Sequence, residues 1–292
     1  MSVDGAAGLV VVDKPAAMTS HDVVARVRLL AGTRKVGHAG TLDPMATGVL
    51  LVGVNRATRL LGHLMLTEKS YDAVVRLGAS TTTDDAEGET TATTSAAHLD
   101  EDRIGAAFAE LVGDIEQVPS SVSAIKVDGK RAYARVRAGE HVELPSRRVS
   151  VHALDVAEVS REGDLVDVRV SVRCSSGTYV RAIARDVGAA LGVGGHLTVL
   201  RRTAVGPFGL ADAHTLDALD ETFSMLPIAD VARRCFPSYH LEPDQAGSVR
   251  VGRRLEVELG STGPVALFDG SGEFLALYEQ RDRTAVAVAV FV

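Results

Sequence analysis

The chain has 292 residues, 46% of them hydrophobic, which is enough for one large and one small domain with sizeable buried cores. No apolar run approaches the ~20 residues that a membrane span needs. The N-terminus lacks the basic and then apolar layout of a secretory signal, so we expect a cytoplasmic protein.

The charge is unevenly distributed along the chain. A formal net charge of −7 argues at first against a nucleic-acid partner, because phosphate binding relies on Lys and Arg. However, residues 211–292 hold 7 basic and 13 acidic side chains, and residues 68–102 hold 2 and 9. The remaining segments therefore carry a basic excess, and an RNA-binding surface is compatible with the acidic total.

The cysteines and histidines do not form a metal motif. Cys174 and Cys235 lie far apart, without the paired spacing of a zinc site or the number of a disulfide framework. The nine histidines include no HExxH pattern. We expect a metal-free protein with reduced thiols, and we place Cys174 in a core strand.

The N-terminal third alternates between strand, helix and loop patterns. Short β-branched runs predict strands, helical spacing of apolar residues predicts helices, and clustered glycines predict loops. The predicted elements are a strand at Gly8–Asp13, a helix over 21–31 capped by Ser20, a loop at Gly37–Pro44, a strand at Thr47–Val52, a helix over Arg56–Leu66 and a strand at Tyr71–Leu77.

The rest of the chain continues with mixed signals and ends in short strands. We expect an acidic, mobile surface excursion at Ala79–His98, a helix over 100–112, a strand at Ser123–Val127, two long strands within 148–174 joined at Arg161–Asp164, a helix over Thr178–Leu191, two short helices within 214–233 and short strands from Tyr239.

These elements predict an α+β fold around a mixed or antiparallel sheet, followed by a small β-barrel. The hairpin-linked long strands argue against a Rossmann fold. We set the predicted domains at residues 1–236 and 237–292.

The loop Gly37–Pro44 carries the main chemical signal. Its glycines allow the backbone to approach a ligand, and Pro44 biases Asp43 away from helical backbone angles. Asp43 is therefore presented from a shaped turn. An isolated Asp-Pro would more often only terminate an element.

The wider motif favours the functional interpretation. The segment Gly37-His-Ala-Gly-Thr-Leu-Asp-Pro-Met-Ala-Thr-Gly48 resembles the signature of the TruB-type tRNA pseudouridine synthases. Further blocks resemble the same family in the same order, so the likeness runs from about residue 8 to 208; these blocks are Asp13-Lys-Pro15, Lys69-Ser-Tyr71, Pro119-Ser-Ser-Val-Ser-Ala-Ile-Lys126, Ser176-Gly-Thr-Tyr-Val-Arg181 and Leu200-Arg-Arg202.

The resemblance implies roles for individual residues. It makes Asp43 the catalytic carboxylate, Tyr71 the ring that packs on the target base, and Arg181 the cation paired with Asp43. It also implies that His38 fills the space left by an extruded base. It further implies that Leu200 lines the base pocket. The remaining substrate-binding candidates are Lys14, Arg202 and Tyr179, of which Tyr179 is the weaker because it also fits a core position.

The implied chemistry is isomerisation of uridine 55 in the T loop of tRNA. Uracil is detached from C1′, turned and rejoined through C5, and a carboxylate can assist as nucleophile or as base. The uridine must be flipped out of the T loop to be reached. The reaction needs no cofactor, and the chain lacks a P-loop or dinucleotide fingerprint.

We expect tRNA as the partner, no membrane contact and a monomeric protein. Residues 239–292 resemble, more loosely, the small PUA barrel that follows the catalytic domain in this family. Candidate cations for RNA binding are Lys14, Arg34, Lys35, Arg56, Arg59, Lys126, Lys130, Arg131, Arg147, Arg148, Arg201 and Arg202.

Three alternatives remain open at this point. The chain could be a related synthase that acts on another RNA, or a tRNA-binding or folding module. A glycoside hydrolase also attacks C1′ of a sugar but normally uses two carboxylates, and the motif loop offers Asp43 alone.

Overall fold

A computed structural model describes residues 5–120, 126–127, 130–131 and 144–292, with the backbone alone at 126–127 and 130–131. Strands β1 to β18 are Gly8–Lys14, Val36–Ala39, Thr47–Val54, Lys69–Leu77, Ala79–Thr81, Thr90–Thr93, Gly113–Gln117, Lys126–Val127, Lys130–Arg131, Arg147–Glu162, Leu165–Cys174, Gly195–Val205, Phe208–Gly209, Leu226–Pro227, Ser238–His240, Val265–Phe268, Phe274–Arg281 and Thr284–Val290. Helices α1 to α7 are Ser20–Ala31, Leu61–Met65, Glu101–Ala109, Val180–Ala190, Leu216–Glu221, Ile228–Cys235 and Gln245–Arg250, and short 3₁₀ helices span Asn55–Leu60 and Leu210–Asp212.

The chain divides into two compact units. The terminal unit comprises residues 5–43, 49–65 and 205–292, and the central unit comprises 44–48 and 66–204. The predicted boundary at residue 236 stays a prediction.

In the terminal unit, β1 lies between β14 and β3, and β2 pairs antiparallel with β3. The C-terminal strands form a separate four-stranded sheet in the order β15-β16-β17-β18. One core cluster draws on both parts of this unit and includes Leu9, Leu51, Phe268 and Phe291. Burial of these apolar side chains stabilises the early strands and the C-terminal sheet together.

In the central unit, the strand order is β12-β4-β11-β10-β7. The two long strands β10 and β11 form the antiparallel hairpin predicted for 148–174. Alternating burial along β4 and β11 places one face of each strand inward, which is the pattern that their sequences predict. Cys174 is buried at the end of β11, which confirms its predicted core position.

The α+β fold class is confirmed, with a mixed sheet followed by a small C-terminal sheet. Several details differ from the sequence-based expectations: the loop predicted at Gly37–Pro44 begins inside β2, and β7 and α7 were not predicted. Helix α1 is capped by the side chain of Thr19, not by Ser20. The excursion 79–98 contains the hairpin β5·β6, and β12 was not predicted. Of the strand expected at Ser123–Val127, residues 123–125 lie outside the described residues.

Within the described ranges, no helix is long and apolar enough to cross a membrane.

Gly48, at the end of the motif, marks a close approach of two strands. It is the Cα partner of Arg202 where β3 and β12 pair in parallel, and its φ is +99°. A Cβ at this position would lie 2.1 Å from the carbonyl oxygen of Arg202. Both the backbone conformation and the contact therefore require glycine.

We expect Gly48→Ala to lower the free energy of unfolding by about 3 kcal/mol or more, because the new methyl group forces the strands apart and the φ angle is strained. Urea denaturation followed by circular dichroism measures this loss. Gly62→Ala is the matched control, since Gly62 lies in α2 with open space around its Cα. Equal stability of the Gly48→Ala and Gly62→Ala proteins would contradict the argument.

Candidate active site

Asp43 lies half-buried in the loop between β2 and β3. The residue before it is held by Ser20 of α1, whose hydroxyl accepts from the Leu42 N–H at 2.9 Å and donates to the Leu42 carbonyl at 3.2 Å. Ser20 and Leu42 are both buried. Because the Ser20 hydroxyl bonds both the N–H and the C=O of Leu42, it fixes the path of the loop. Asp43 therefore projects from a supported turn.

The other predicted residues of the terminal unit are His38 and Lys14. The ring of His38 packs edge to face against His21 of α1, with 5.5 Å between the ring centroids. Lys14 is 0% exposed, and its Nζ donates to the carbonyls of Pro15 and Met18 at 2.9 and 2.6 Å. This lysine therefore closes the turn between β1 and α1, a structural role that the sequence did not indicate.

Tyr71 and Lys69 lie on the same inward face of β4, in the central unit. Tyr71 is paired in register with Val172 of β11, and Lys69 with Cys174. Both side chains are buried. Leu200 and Arg202 lie on β12, the other neighbour of β4, and both are buried as well.

Lys69 is a buried cation. Its Nζ donates to the carbonyl of Thr67 at 2.8 Å. Burial, together with the charge of Arg202, lowers the pKa of Lys69 from 10.5 to about 8, although Cys174 acts in the opposite direction. Burial also raises the pKa of the Cys174 thiol, which is therefore an unreactive core thiol.

Arg181 forms a buried ion pair that the sequence analysis missed. It lies in the first turn of α4, and its Nη1 is 3.2 Å from Asp85 Oδ2, with side-chain exposures of 6% and 3%. The same nitrogen donates to the Thr83 carbonyl at 2.9 Å. Asp85 in turn accepts from the Thr83 hydroxyl and from the Glu87 N–H.

A second pair repeats the arrangement one turn along α4. Arg185 Nη1 is 3.3 Å from Asp84 Oδ2, and its other nitrogens bond Asp186. Two arginines four residues apart on a helix thus face two adjacent aspartates. This spacing was the available signal for Asp85, but its acidic, threonine-rich surroundings favoured an exposed excursion instead.

The two units divide the predicted site residues between them. Asp43, His38 and Lys14 belong to the terminal unit, and Tyr71, Tyr179, Arg181, Leu200 and Arg202 belong to the central unit. The predicted pairing of Arg181 with Asp43 stays a prediction, and the structure shows an ion pair between Arg181 and Asp85.

The candidate RNA-binding cations differ in exposure. Arg34, Lys35 and Arg56 are exposed, as a phosphate contact requires, whereas Lys14 and Arg202 are buried. Three others have partners in the protein: Arg59 donates to the Val290 carbonyl, Arg148 pairs with Asp114, and Arg201 donates to the Thr47 hydroxyl. The side chains of Lys126, Lys130 and Arg131 lie outside the described residues.

Among the side chains that the structure describes, no group of three or more His, Cys, Asp or Glu residues could hold a metal ion.

Profiles of known protein families match most of this chain. The profile described as "TruB family pseudouridylate synthase (N terminal domain)" matches residues 28–180. The profile "tRNA pseudouridylate synthase B C-terminal domain" matches 181–227, and "tRNA Pseudouridine synthase II, C terminal" matches 236–292. The chain belongs to the TruB family of pseudouridylate synthases.

Several full-length relatives agree with this TruB assignment. The chain is 57% identical to "tRNA pseudouridine synthase B" of Rhodococcus jostii, over 97% of this chain and 93% of the relative. It is 56% identical to the protein of the same name from Thermobifida fusca, over 97% and 98%.

Solved structures share the TruB-type fold. A chain from "Structure of H/ACA RNP bound to a substrate RNA containing 2'-deoxyuridine" matches with a TM-score of 0.73 and 25% identity, over 98% of this chain and 85% of that one. A chain from "Crystal Structure of a Cbf5-Nop10-Gar1 Complex" matches with a TM-score of 0.71 and 28% identity, over 97% and 83%.

We expect Asp85→Asn to lower the free energy of unfolding by about 3 kcal/mol, because the isosteric amide leaves the Arg181 guanidinium buried without its countercharge. Chemical denaturation measures the effect. Asp84→Asn is the matched control: Asn tolerates the positive φ of position 84, and Arg185 keeps Asp186 as a partner. The control should lose no more than about 1 kcal/mol, and similar losses in the two variants would refute the importance of the buried pair.

We expect the stability difference between wild type and Lys69→Met to depend on pH. The pKa of Lys69 is about 8 in the folded protein and 10.5 in the unfolded chain, so folding releases a proton between these values. The penalty of the buried charge is full below pH 8 and disappears as the pH rises to 10.5. As the pH rises across this window, the free energy of unfolding of wild type should therefore increase relative to that of Lys69→Met, by on the order of 1–3 kcal/mol.

Denaturation of both proteins from pH 7.5 to 10.5 measures this difference. Lys35→Met removes the same charge at an exposed position and controls for effects of net charge. A difference for Lys69→Met that stays constant across the window, or that parallels the Lys35→Met control, would contradict the argument.

Proposed function

We propose that the protein converts uridine 55 in the T loop of tRNA to pseudouridine. The observation that carries the proposal is full-length similarity to relatives named tRNA pseudouridine synthase B, combined with the complete motif around Asp43. The support of the motif loop by Ser20 agrees with a catalytic role for that loop, since catalytic groups work best from fixed positions.

In the proposed mechanism, the target uridine is flipped out of the T loop and enters a pocket that contains Asp43. Tyr71 packs against the base, Leu200 lines the pocket, and His38 fills the space that the base leaves. Lys14, Tyr179 and Arg202 complete the proposed substrate-binding set.

Asp43 assists the cleavage of the C1′–N1 bond and the formation of the C1′–C5 bond, and in the overall isomerisation C5 loses its proton while N1 gains one. A carboxylate can do so as a nucleophile at C1′ or as a base that removes a proton, and both routes fit the proposal. Arg181 would keep Asp43 ionised and oriented through charge-assisted hydrogen bonds. Bonds are exchanged within one nucleotide, without redox change or a group donor, so the chemistry requires no cofactor.

We also propose that the protein is a cytoplasmic monomer that acts without a metal ion. The C-terminal sheet would hold the acceptor side of tRNA, as the PUA resemblance implies. In the same C-terminal region, Arg250 at the end of α7 is neutralised by Asp269 and Glu273. We expect this domain to contribute less phosphate binding than a basic domain would.

A related synthase for another RNA is the second candidate. It is favoured by the likeness to a chain from a structure titled as an H/ACA RNP bound to a substrate RNA. The identity to that chain is 25%, against 57% to the Rhodococcus jostii relative, which favours tRNA as the substrate.

Incubation with an unmodified tRNA transcript, followed by mapping of pseudouridine at single-nucleotide resolution, tests the proposal. We expect modification at position 55, with no free uracil released. Modification at another position or in another RNA would refute the substrate assignment. Release of uracil without pseudouridine would indicate a glycoside hydrolase instead.

We expect Asp43→Asn to abolish conversion while the affinity for tRNA stays within roughly 1 kcal/mol, because the carboxylate acts mainly in the transition state. A mobility-shift titration and a single-turnover assay measure the two quantities. Asp155→Asn, at an exposed position of β10, is the matched control and should retain full activity. Full activity of the Asp43→Asn protein would disprove the assignment, and tRNA binding without conversion by wild type would favour a binding or folding module.

A further inference from the structure

We infer that Gln117 is a positioning residue for the reaction, because its side-chain amide holds Tyr179 and the first turn of α4, which carries Arg181. The inference rests on the proposed function, in which Tyr179 and Arg181 belong to the site. The resemblance assigns a block that begins at Pro119 and gives Gln117 no role.

The amide of Gln117 bonds both polar groups of the Tyr179 backbone. Its Oε1 accepts from the Tyr179 N–H at 2.8 Å, and its Nε2 donates to the Tyr179 carbonyl at 3.1 Å. A backbone N–H only donates and a carbonyl only accepts, so the orientation of the amide is fixed. Gln117 is 1% exposed, so water has little access to its amide.

Tyr179 is the residue from which α4 begins. It is the N-cap of the helix, with extended backbone angles and no capping hydrogen bond from its own side chain. The Gln117 amide supplies an external restraint at this point. Arg181 follows two residues later, so the direction in which its guanidinium leaves the helix depends on how Tyr179 is held.

The ring of Tyr179 is held from the neighbouring strand. Arg147 of β10 is the Cα partner of Gln117 in the β7·β10 ladder, and its guanidinium carbon is 5.4 Å from the centroid of the Tyr179 ring. The last residue pair of this ladder thus restrains the backbone of Tyr179 by an amide and its ring by a cation–π contact.

A further contact joins the next turn of α4 to the same strand end. Arg185 Nη2 donates to the carbonyl of Val118 at 2.8 Å, directly after Gln117. The last residue of β7 and the residue after it therefore bond the N-cap and the second turn of the helix, and Arg181 lies between these two points. On its other side, Arg181 is held by Asp85 and Thr83.

Gln117→Glu tests the role of the amide with little change of shape. The carboxylate keeps an acceptor for the Tyr179 N–H but places an oxygen against the Tyr179 carbonyl, so one hydrogen bond becomes a repulsion. We expect the single-turnover rate of pseudouridine formation at saturating enzyme to fall about 10- to 100-fold, since small displacements of site residues cost this much. The Kd for tRNA should change by less than about threefold.

Gln280→Glu is the matched control. Gln280 also bridges backbone groups, since its Oε1 accepts from the Leu259 N–H at 2.8 Å and its Nε2 donates to the Asp282 carbonyl at 3.0 Å. It lies in the terminal unit, whereas Gln117 lies in the central unit. We expect this variant to lose stability by the same mechanism. Because Gln280 lies in the C-terminal sheet, the comparison uses saturating enzyme, where a change of tRNA affinity does not alter the rate, and we expect the single-turnover rate to stay within about twofold.

Hydrogen exchange separates positioning from general stability. In Gln117→Met, amides near residues 179–181 should exchange faster, and in Gln280→Met they should not. Rates are compared at a temperature at which circular dichroism shows all variants to be folded. A wild-type rate in folded Gln117→Glu, or unchanged exchange in Gln117→Met, would overturn the inference while the proposed function stands. A wild-type protein that forms no pseudouridine in tRNA would overturn the proposed function itself, and the inferred role in the reaction with it.

Discussion

The buried ion pair between Arg181 and Asp85 is a strong constraint on the central unit. Both charged side chains are buried away from water. Either charge alone would be strongly unfavourable in this buried position. Their arrangement compensates this cost, because the guanidinium also bonds a carbonyl and the carboxylate accepts two further hydrogen bonds. The pair fixes α4 to the segment after β5, and it places a desolvated cation in the first turn of the helix.

Most of the secondary structure could be predicted, because the relevant signals are local. The long hairpin β10·β11 follows from alternating apolar residues and a glycine-containing turn, and α4 follows from helical spacing. Strand β12 was missed because Leu200, Arg201 and Arg202 place charged and apolar side chains next to each other without a clear period. The conformation of β12 depends on strands β3 and β4, which lie beside it in the sheet but far from it in the sequence.

The site was predicted unevenly for the same reason. The role of Asp43 stays a prediction from a contiguous motif, and the structure adds the support of its loop by Ser20. Ser20 was predicted as the N-cap of α1 because serine is favoured at that position. In the structure Thr19 is the N-cap, so the Ser20 hydroxyl is available to bond the backbone of Leu42. Asp85 could not be predicted from composition, because acidic residues are usually exposed and its partner is distant in sequence.

The buried aspartate also determines where foreign sequence could be introduced into this protein. The hairpin β5·β6 has the polar composition of a tolerant insertion point, and the whole of Thr90–Thr93 is exposed. A peptide label placed in that second strand would extend into solvent. The same label placed between Thr83 and Asp85 would draw the countercharge away from Arg181, so two neighbouring positions of one surface hairpin differ fundamentally in their suitability for tagging.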